Sequence, residues 1–234
     1  MVDPYLDPDS GVLRNKLGIT DPQALAAAEA DITAARLTRL AERPLPGAYD
    51  LAHLQAFHRE IFGSIYPWAG QIRSVEIAKT DRFCLVRMIP GFADDIFGRL
   101  ARRQDYLRGL DRDGFLDGLA DLYGDVNALH PHREGNGRAQ RAYLGQLAAD
   151  AGHPIDWTRL DPERNVLASI ASLSGNNGPL RSMLSDLTVD QPAPRARAAT
   201  TTSETVRATP TPTPAPALQP PSPVQQSNHP TIRR

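Results

Sequence analysis

Two helix-period runs that meet at a short polar stretch set the layout of this chain. Phe115, Leu119, Leu122, Val126 and Leu129 recur at the spacing of one helical face, widened by Leu116 and Tyr123. Residues 139–149 hold no proline and only one glycine, Gly145, and Tyr143, Leu144 and Leu147 give them an apolar face. Between the runs, residues 130–141 read H-P-H-R-E-G-N-G-R-A-Q-R. The glycines permit a tight turn and a close approach of backbone N–H groups to a ligand. A helix that starts there directs its free N–H groups and positive dipole end at the same spot, which favours a bound phosphate.

The side chains around that turn suit nucleotidyl or phosphoryl transfer. His130, at the end of the first helix, can accept a proton near neutral pH. Glu134 is a hard oxygen ligand of the kind Mg²⁺ takes. Gly135, Asn136 and Gly137 can hold an α-phosphate through backbone and amide donors. Arg138 and Arg141, three apart on a helix, can fork onto further phosphates or a ribose. A G-N-G alone is ordinarily a turn. Here a His stands five residues before the first glycine and arginines stand one and four residues after the second, which weighs against a plain turn. A metal cluster on His130, His132 and Glu134 would need strand geometry, and helices flank the segment.

Residues 130–141 resemble the signature of the Fic family, H-P-F-x-[D/E]-G-N-G-R-x-x-R, with His132 at the position of the usual Phe. The resemblance extends over about residues 9–187. It implies an all-α, Fic-fold helical domain with a short β-hairpin flap, and a protein adenylyltransferase that moves AMP from Mg-ATP to a Ser, Thr or Tyr hydroxyl. In that reading His130 is the base, Glu134 holds the Mg²⁺, and Gly135, Asn136, Gly137, Arg138 and Arg141 bind ATP. Residues 65–73 are similar to the stretch before the family's target-docking flap. Residues 73–84 alternate enough for the hairpin itself, with Val75 and Ile77 on one side, Ser74 and Glu76 on the other, and residues 79–82 as the turn. The flap implies Ile77 as the clamp on the target, with Lys79 and Thr80 beside the nucleotide. Two rivals remain, a relative moving UMP, phosphocholine or phosphate, and an inactive Fic-fold binding module.

Other helices are expected from Thr20 to about Glu42, from Asp50 through Phe62, from Pro90 to about Leu107, from Asp161 through Leu173, and from Leu180 to Leu187. His53 and His58 fall on the second and are expected at the surface or core edge. Net charge is -1, which gives no overall pull toward nucleic acid or membrane, and no apolar run nears the ~18 residues of a membrane span. One cysteine, Cys84, excludes an internal disulfide framework and fits a reducing, cytoplasmic setting. Only Lys16 and Lys79 are lysines, and this Arg bias suggests a GC-rich bacterial genome.

The expected division is a lead-in over residues 1–18, a Fic domain over 19–190 and a tail over 191–234. The tail holds ten of the 21 prolines, five Arg and one Glu, a composition expected to be disordered. A basic secretion signal is a second reading of it. Fic enzymes are commonly silenced by [S/T]-x-x-x-E-[G/N], whose Glu pairs with the second arginine of the signature. The nearest matches, residues 38–43 and 200–205, both fail at the last position. The resemblance therefore implies a separate small antitoxin that supplies the glutamate, and a bacterial topoisomerase subunit as target.

Overall fold

The computed structural model describes residues 3–78 and 83–189, the side chain of Arg103 excepted. The chain divides into Met1–Pro194 and Arg195–Arg234. The second unit, and with it the reading of the tail, lies outside the described residues, as do Lys79, Thr80 and the proposed turn.

Among the described residues the fold is all-α, with α1 Pro22–Glu42, α2 Leu51–Phe62, α3 Ile89–Gln104, α4 Arg112–Leu129, α5 Asn136–Asp150, α6 Pro162–Leu173 and α7 Gly178–Leu187. Aspartates start four of these helices. Asp21, Asp50, Asp111 and Asp161 each accept a hydrogen bond from a backbone N–H of the first turn, at 2.7 Å from Ala24 and 2.8 Å from His53 in the first two. Asp21, rather than Thr20, caps α1. Pro22 and Pro162 follow their caps, where a missing N–H costs nothing.

Helix α4 is the axis of the domain. The whole Phe115-to-Leu129 stripe is buried, and Ala120 and Gly124 bury a further face, because α3, α5, α6 and α7 all pack against it. Helix α2 packs on α1 and α5, so α5 is held between α2 and α4. Ile65, Tyr66, Trp68 and Ala69 close the core over the turn after α2. No described helix is long and apolar enough to cross a membrane.

The hairpin expected over residues 73–84 is not formed: no β-strand occurs there among the described residues. Among the described residues each arm of the flap gives a backbone N–H to the segment at the end of α4, and the arms meet through side chains. The Arg73 N–H donates to the Pro131 carbonyl at 2.8 Å, and the Cys84 N–H donates to the Ala128 carbonyl at 2.9 Å. The last carbonyls of a helix lack intrahelical donors, so they compete for flap N–H groups that a ladder would need. Side chains then close the loop. The Glu76 carboxylate accepts the Val86 N–H at 3.1 and 3.2 Å, and the Tyr5 hydroxyl accepts the Ser74 N–H at 2.9 Å. Two apolar residues on a single face, Val75 and Ile77, are too few to outweigh these partners.

His53 and His58 are buried, a second departure from expectation. His53 donates from Nε2 to the Leu45 carbonyl at 2.8 Å and accepts the Tyr49 N–H on Nδ1 at 3.2 Å. His58 accepts the Gly70 N–H on Nδ1 at 2.9 Å and donates from Nε2 to the Glu134 carbonyl at 2.8 Å. His132 stacks on His58 with ring centroids 3.9 Å apart and donates from Nδ1 to the Gln71 carbonyl at 2.9 Å. Its Nε2 is buried without a hydrogen-bond partner. The imidazole therefore fills the slot of an aromatic ring, at the cost of one orphaned acceptor.

Burial lowers the His58 pKa to about 4 and holds that of His132 well below the usual imidazole range. The unfolded chain takes up protons near pH 6.5 that the folded chain refuses, so stability is full above that pH and falls as pH drops toward 4. Each ring contributes a loss of up to about 1.4 kcal/mol per pH unit in this window. In denaturant titrations between pH 7.5 and pH 5, His132→Phe is expected to lose clearly less stability than the wild type. Equal losses in the two proteins would refute the assignment of His132 as a neutral, buried ring.

Candidate active site

Helix α4 ends at His130, which takes the left-handed conformation (φ 41, ψ 61) usual for glycine at a helix stop. Its N–H reaches back to the Val126 carbonyl at 3.2 Å. Nδ1 lies 3.2 Å from the Asn127 carbonyl, and because a carbonyl only accepts, Nδ1 carries the proton and Nε2 is the ring's basic nitrogen. The ring is stacked on Phe83 at 3.7 Å and lines a cavity of about 730 Å³. That volume lies in the range of small-molecule sites.

The next helix begins at the far wall of the same cavity. Gly135 caps α5 at φ 78, and a Cβ there would stand 2.3 Å from the Phe62 ring, so both its conformation and its surroundings demand glycine. The first N–H bonded into α5 is that of Ala139, to the Gly135 carbonyl. The N–H groups of Asn136, Gly137 and Arg138 precede it and take no acceptor among the described residues. Open N–H groups at a helix start are the feature that favours a bound anion.

The Asn136 carboxamide does a different task from the one its residue type suggests. Nδ2 donates to the His132 carbonyl at 2.7 Å, and Oδ1 accepts the His132 N–H at 2.9 Å. Asn136 thus clasps the loop shut and leaves phosphate contact to the backbone.

The two arginines separate. Arg141 lines the cavity and pairs with no carboxylate among the described residues. A Cβ on Gly137 would come within 3.1 Å of its Nη1, so the glycine gives the guanidinium room. Arg138 is not among the cavity-lining residues. It donates to Glu29 of α1 at 2.5 Å and to the Thr33 hydroxyl at 3.3 Å, and it lies 4.7 Å from the centre of the Phe62 ring. Tyr66 donates to the same Glu29 carboxylate. Burial, and then Glu29, push the Tyr66 phenol well above its ordinary pKa, so it remains a donor.

Glu134 stands at the cavity wall with its side chain 47 % exposed, and one carboxylate oxygen accepts the Gly135 N–H at 2.8 Å. No three His, Cys, Asp or Glu among the described residues could together hold a metal. A lone carboxylate beside an anion site is the donor set of a Mg²⁺ shared with phosphate oxygens, so the residues fit that ion. Glu76, Ile77 and Ala78 of the flap form the roof, with Asn165, Val166, Ile170 and Leu173 of α6 on the remaining side.

Spacing alone missed several of these parts. Arg73 is fully buried, and its Nε donates to the His130 carbonyl at 2.9 Å. Asn127, Glu29 and Tyr66 also hold signature residues in place. The only trace of Arg73 in the sequence is a cation set among Ile72 and Val75.

A Fic/DOC family profile matches residues 48–148. The protein adenylyltransferase VbhT of Bartonella schoenbuchensis is 40% identical over 194 residues, 81% of this chain and 40% of that protein. The chain thus spans less than half of that relative. The probable protein adenylyltransferase Fic of Salmonella typhimurium is 38% identical over 182 residues, 77% of this chain and 90% of that protein. The chain belongs to the Fic/DOC family.

Solved Fic structures share the fold. The BepC protein of Bartonella tribocorum, described with bound AMPPNP, superposes with a TM-score of 0.73 at 27% identity and covers 80% of this chain and 97% of its own. A Fic domain from Bartonella quintana, described with bound ADP, has the same TM-score at 29% identity and covers 80% and 95%.

The division between the arginines is testable by ADP titration and thermal unfolding. Arg141→Ala is expected to weaken ADP binding by tenfold or more with little change in stability. Arg138→Ala should instead destabilise the fold by about 2–4 kcal/mol, because it leaves Glu29 without its cation. Equal effects of both substitutions on ADP affinity would show that the two share one role.

Proposed function

We propose that this chain transfers AMP from Mg-ATP to a hydroxyl of another protein, with His130 as the general base. The enzyme class, protein adenylyltransferase, follows from family membership and from the named relatives. The observation that carries the residue roles is the sharing of one cavity. His130, the first residues of α5, Asn136 and Gly137, and Arg141 all line it.

The acceptor hydroxyl loses its proton to His130 Nε2 as its oxygen bonds to the α-phosphorus of ATP. The bond from that phosphorus to the bridging oxygen breaks, and pyrophosphate leaves. The N–H groups of Asn136, Gly137 and Arg138 stabilise charge on the α-phosphate, and Arg141 holds the phosphates beyond it. Mg²⁺, held by Glu134, would offset phosphate charge. The Asn127 carbonyl keeps His130 in the tautomer whose Nε2 can accept a proton. Ile77 and its flap lay the target over the cavity. The outer contacts of the nucleotide fall to Lys79 and Thr80.

Arg141, with no carboxylate partner among the described residues, is the point at which an external glutamate would block ATP. A small antitoxin that carries such a residue fits the lack of a complete [S/T]-x-x-x-E-[G/N] in the chain, which supports reading the enzyme as the toxin of a pair. Relatives described as VirB-translocated effectors, with the five Arg and single Glu of residues 191–234, support export through the tail.

The test is incubation with ATP labelled at its α-phosphate, Mg²⁺ and bacterial lysate, with a purified topoisomerase subunit as the first defined acceptor. His130→Ala is expected to cut AMP incorporation by roughly 10³-fold or more while ADP still binds. Full incorporation by that variant would remove His130 as base. A mass increment on the acceptor other than that of AMP would replace adenylyl transfer with a different group transfer.

A further inference from the structure

One buried guanidinium links the flap to the base. Arg73 has no side-chain solvent exposure. Its Nε donates to the His130 carbonyl at 2.9 Å, and its own N–H to the Pro131 carbonyl at 2.8 Å. Nη1 donates to the Val75 carbonyl at 2.8 Å and lies 3.4 Å from the Glu76 carboxylate, while Nη2 donates to the Cys84 carbonyl. A single side chain therefore touches the first arm of the flap, the second arm, and the backbone of the proposed catalytic residue. Among the described residues no strand ladder joins the arms, and this cation links them.

We propose that Arg73 is a positioning residue for the transfer reaction, which fixes the flap in register with His130. The inference rests on the adenylyl-transfer reading above. Three observations carry it. A charge buried this completely costs several kcal/mol of lost hydration, and Arg73 recovers it from carbonyls and one half-exposed carboxylate, so packing alone does not account for its presence. His130 holds φ 41 without being glycine, and the bond from Arg73 to its carbonyl sets the peptide plane on which the imidazole is mounted. Finally, Glu76 is 58 % exposed, lines the cavity roof and also accepts the Val86 N–H, so it is the outer end of the same clasp. A target strand laid on the flap presses on Glu76, and through Arg73 that contact reaches His130. A displacement of about 1 Å between base and acceptor costs on the order of 10²-fold in rate.

The experiment uses Arg73→Lys, Arg73→Met and Glu76→Gln in the full chain, each assayed well below its own unfolding midpoint. The probe is ATP labelled at its α-phosphate, with Mg²⁺ and excess lysate protein as acceptor, and ADP affinity is measured by calorimetry. The expected result is a split. ADP affinity and KM for ATP stay within about threefold of wild type, while kcat for AMP incorporation falls roughly 100-fold in Arg73→Met and about tenfold in Glu76→Gln. Arg73→Lys should recover part of the loss, since an ammonium reaches some of the same carbonyls.

Wild-type kcat in folded Arg73→Lys or Glu76→Gln would overturn the proposal, and so would a kcat loss matched by an equal loss of ADP affinity. Should Arg73→Met not fold, the other two variants decide. A wild-type enzyme that binds ADP yet transfers no AMP would instead bring down the adenylyl-transfer reading and this one with it.

Discussion

The turn between α4 and α5 governs everything functional in this domain. Six residues, 130–135, carry the chain out of one buried helix and into another. In that span the backbone must expose a helix N-terminus without losing its own order. It is held from three directions. Asn136 clasps the backbone of His132, His58 donates to the Glu134 carbonyl, and Arg73 donates to the carbonyls of His130 and Pro131. Each support satisfies a loop backbone group with a protein partner. The N–H groups of Asn136, Gly137 and Arg138 are left over, and those are the ones a phosphate needs.

That economy explains how two arginines three residues apart diverge. Both emerge from the first turn of α5, yet Phe62 and Gly137 divide the space around them. Phe62 closes the underside of Gly135 and offers its face to Arg138, which turns away to Glu29, Thr33 and α1. Gly137 leaves a gap on the other side that Arg141 fills. An ion pair with a carboxylate 13 % exposed is a structural tie between α1 and α5. Arg141 lines the cavity and pairs with no carboxylate among the described residues.

How far the sequence could be read depended on the range of each interaction. The α4 stripe and the positions of most helices were legible, because periodicity and capping are local. So was the nearness of His130 to the start of α5, since both lie within residues 130–141. The flap was misjudged because its alternation is real but its N–H groups have nearer acceptors in the end of α4. No feature of residues 73–84 announces carbonyls that come from residues 128–131. His53 and His58 were misjudged for a related reason. Both look polar on a helix, but their two nitrogens meet backbone partners that fold in from elsewhere. Arg73 and Glu29 were invisible because long-range contacts alone define what they do.

His132 shows how a substitution can preserve geometry while changing its working range. A phenyl ring in that slot would stack on His58 and fill the space without a polar atom to satisfy. The imidazole keeps the stack and adds a hydrogen bond to the Gln71 carbonyl, which ties the loop to the base of the flap. Against this stands an acceptor with no donor and a ring that must stay neutral. Two stacked imidazoles cannot both take a proton in a buried site, and His58 already has both nitrogens committed. The loop that forms the anion site is therefore most rigid where both rings are neutral. Acid weakens it from inside the core, because the protons enter beneath the turn, at His58 and His132.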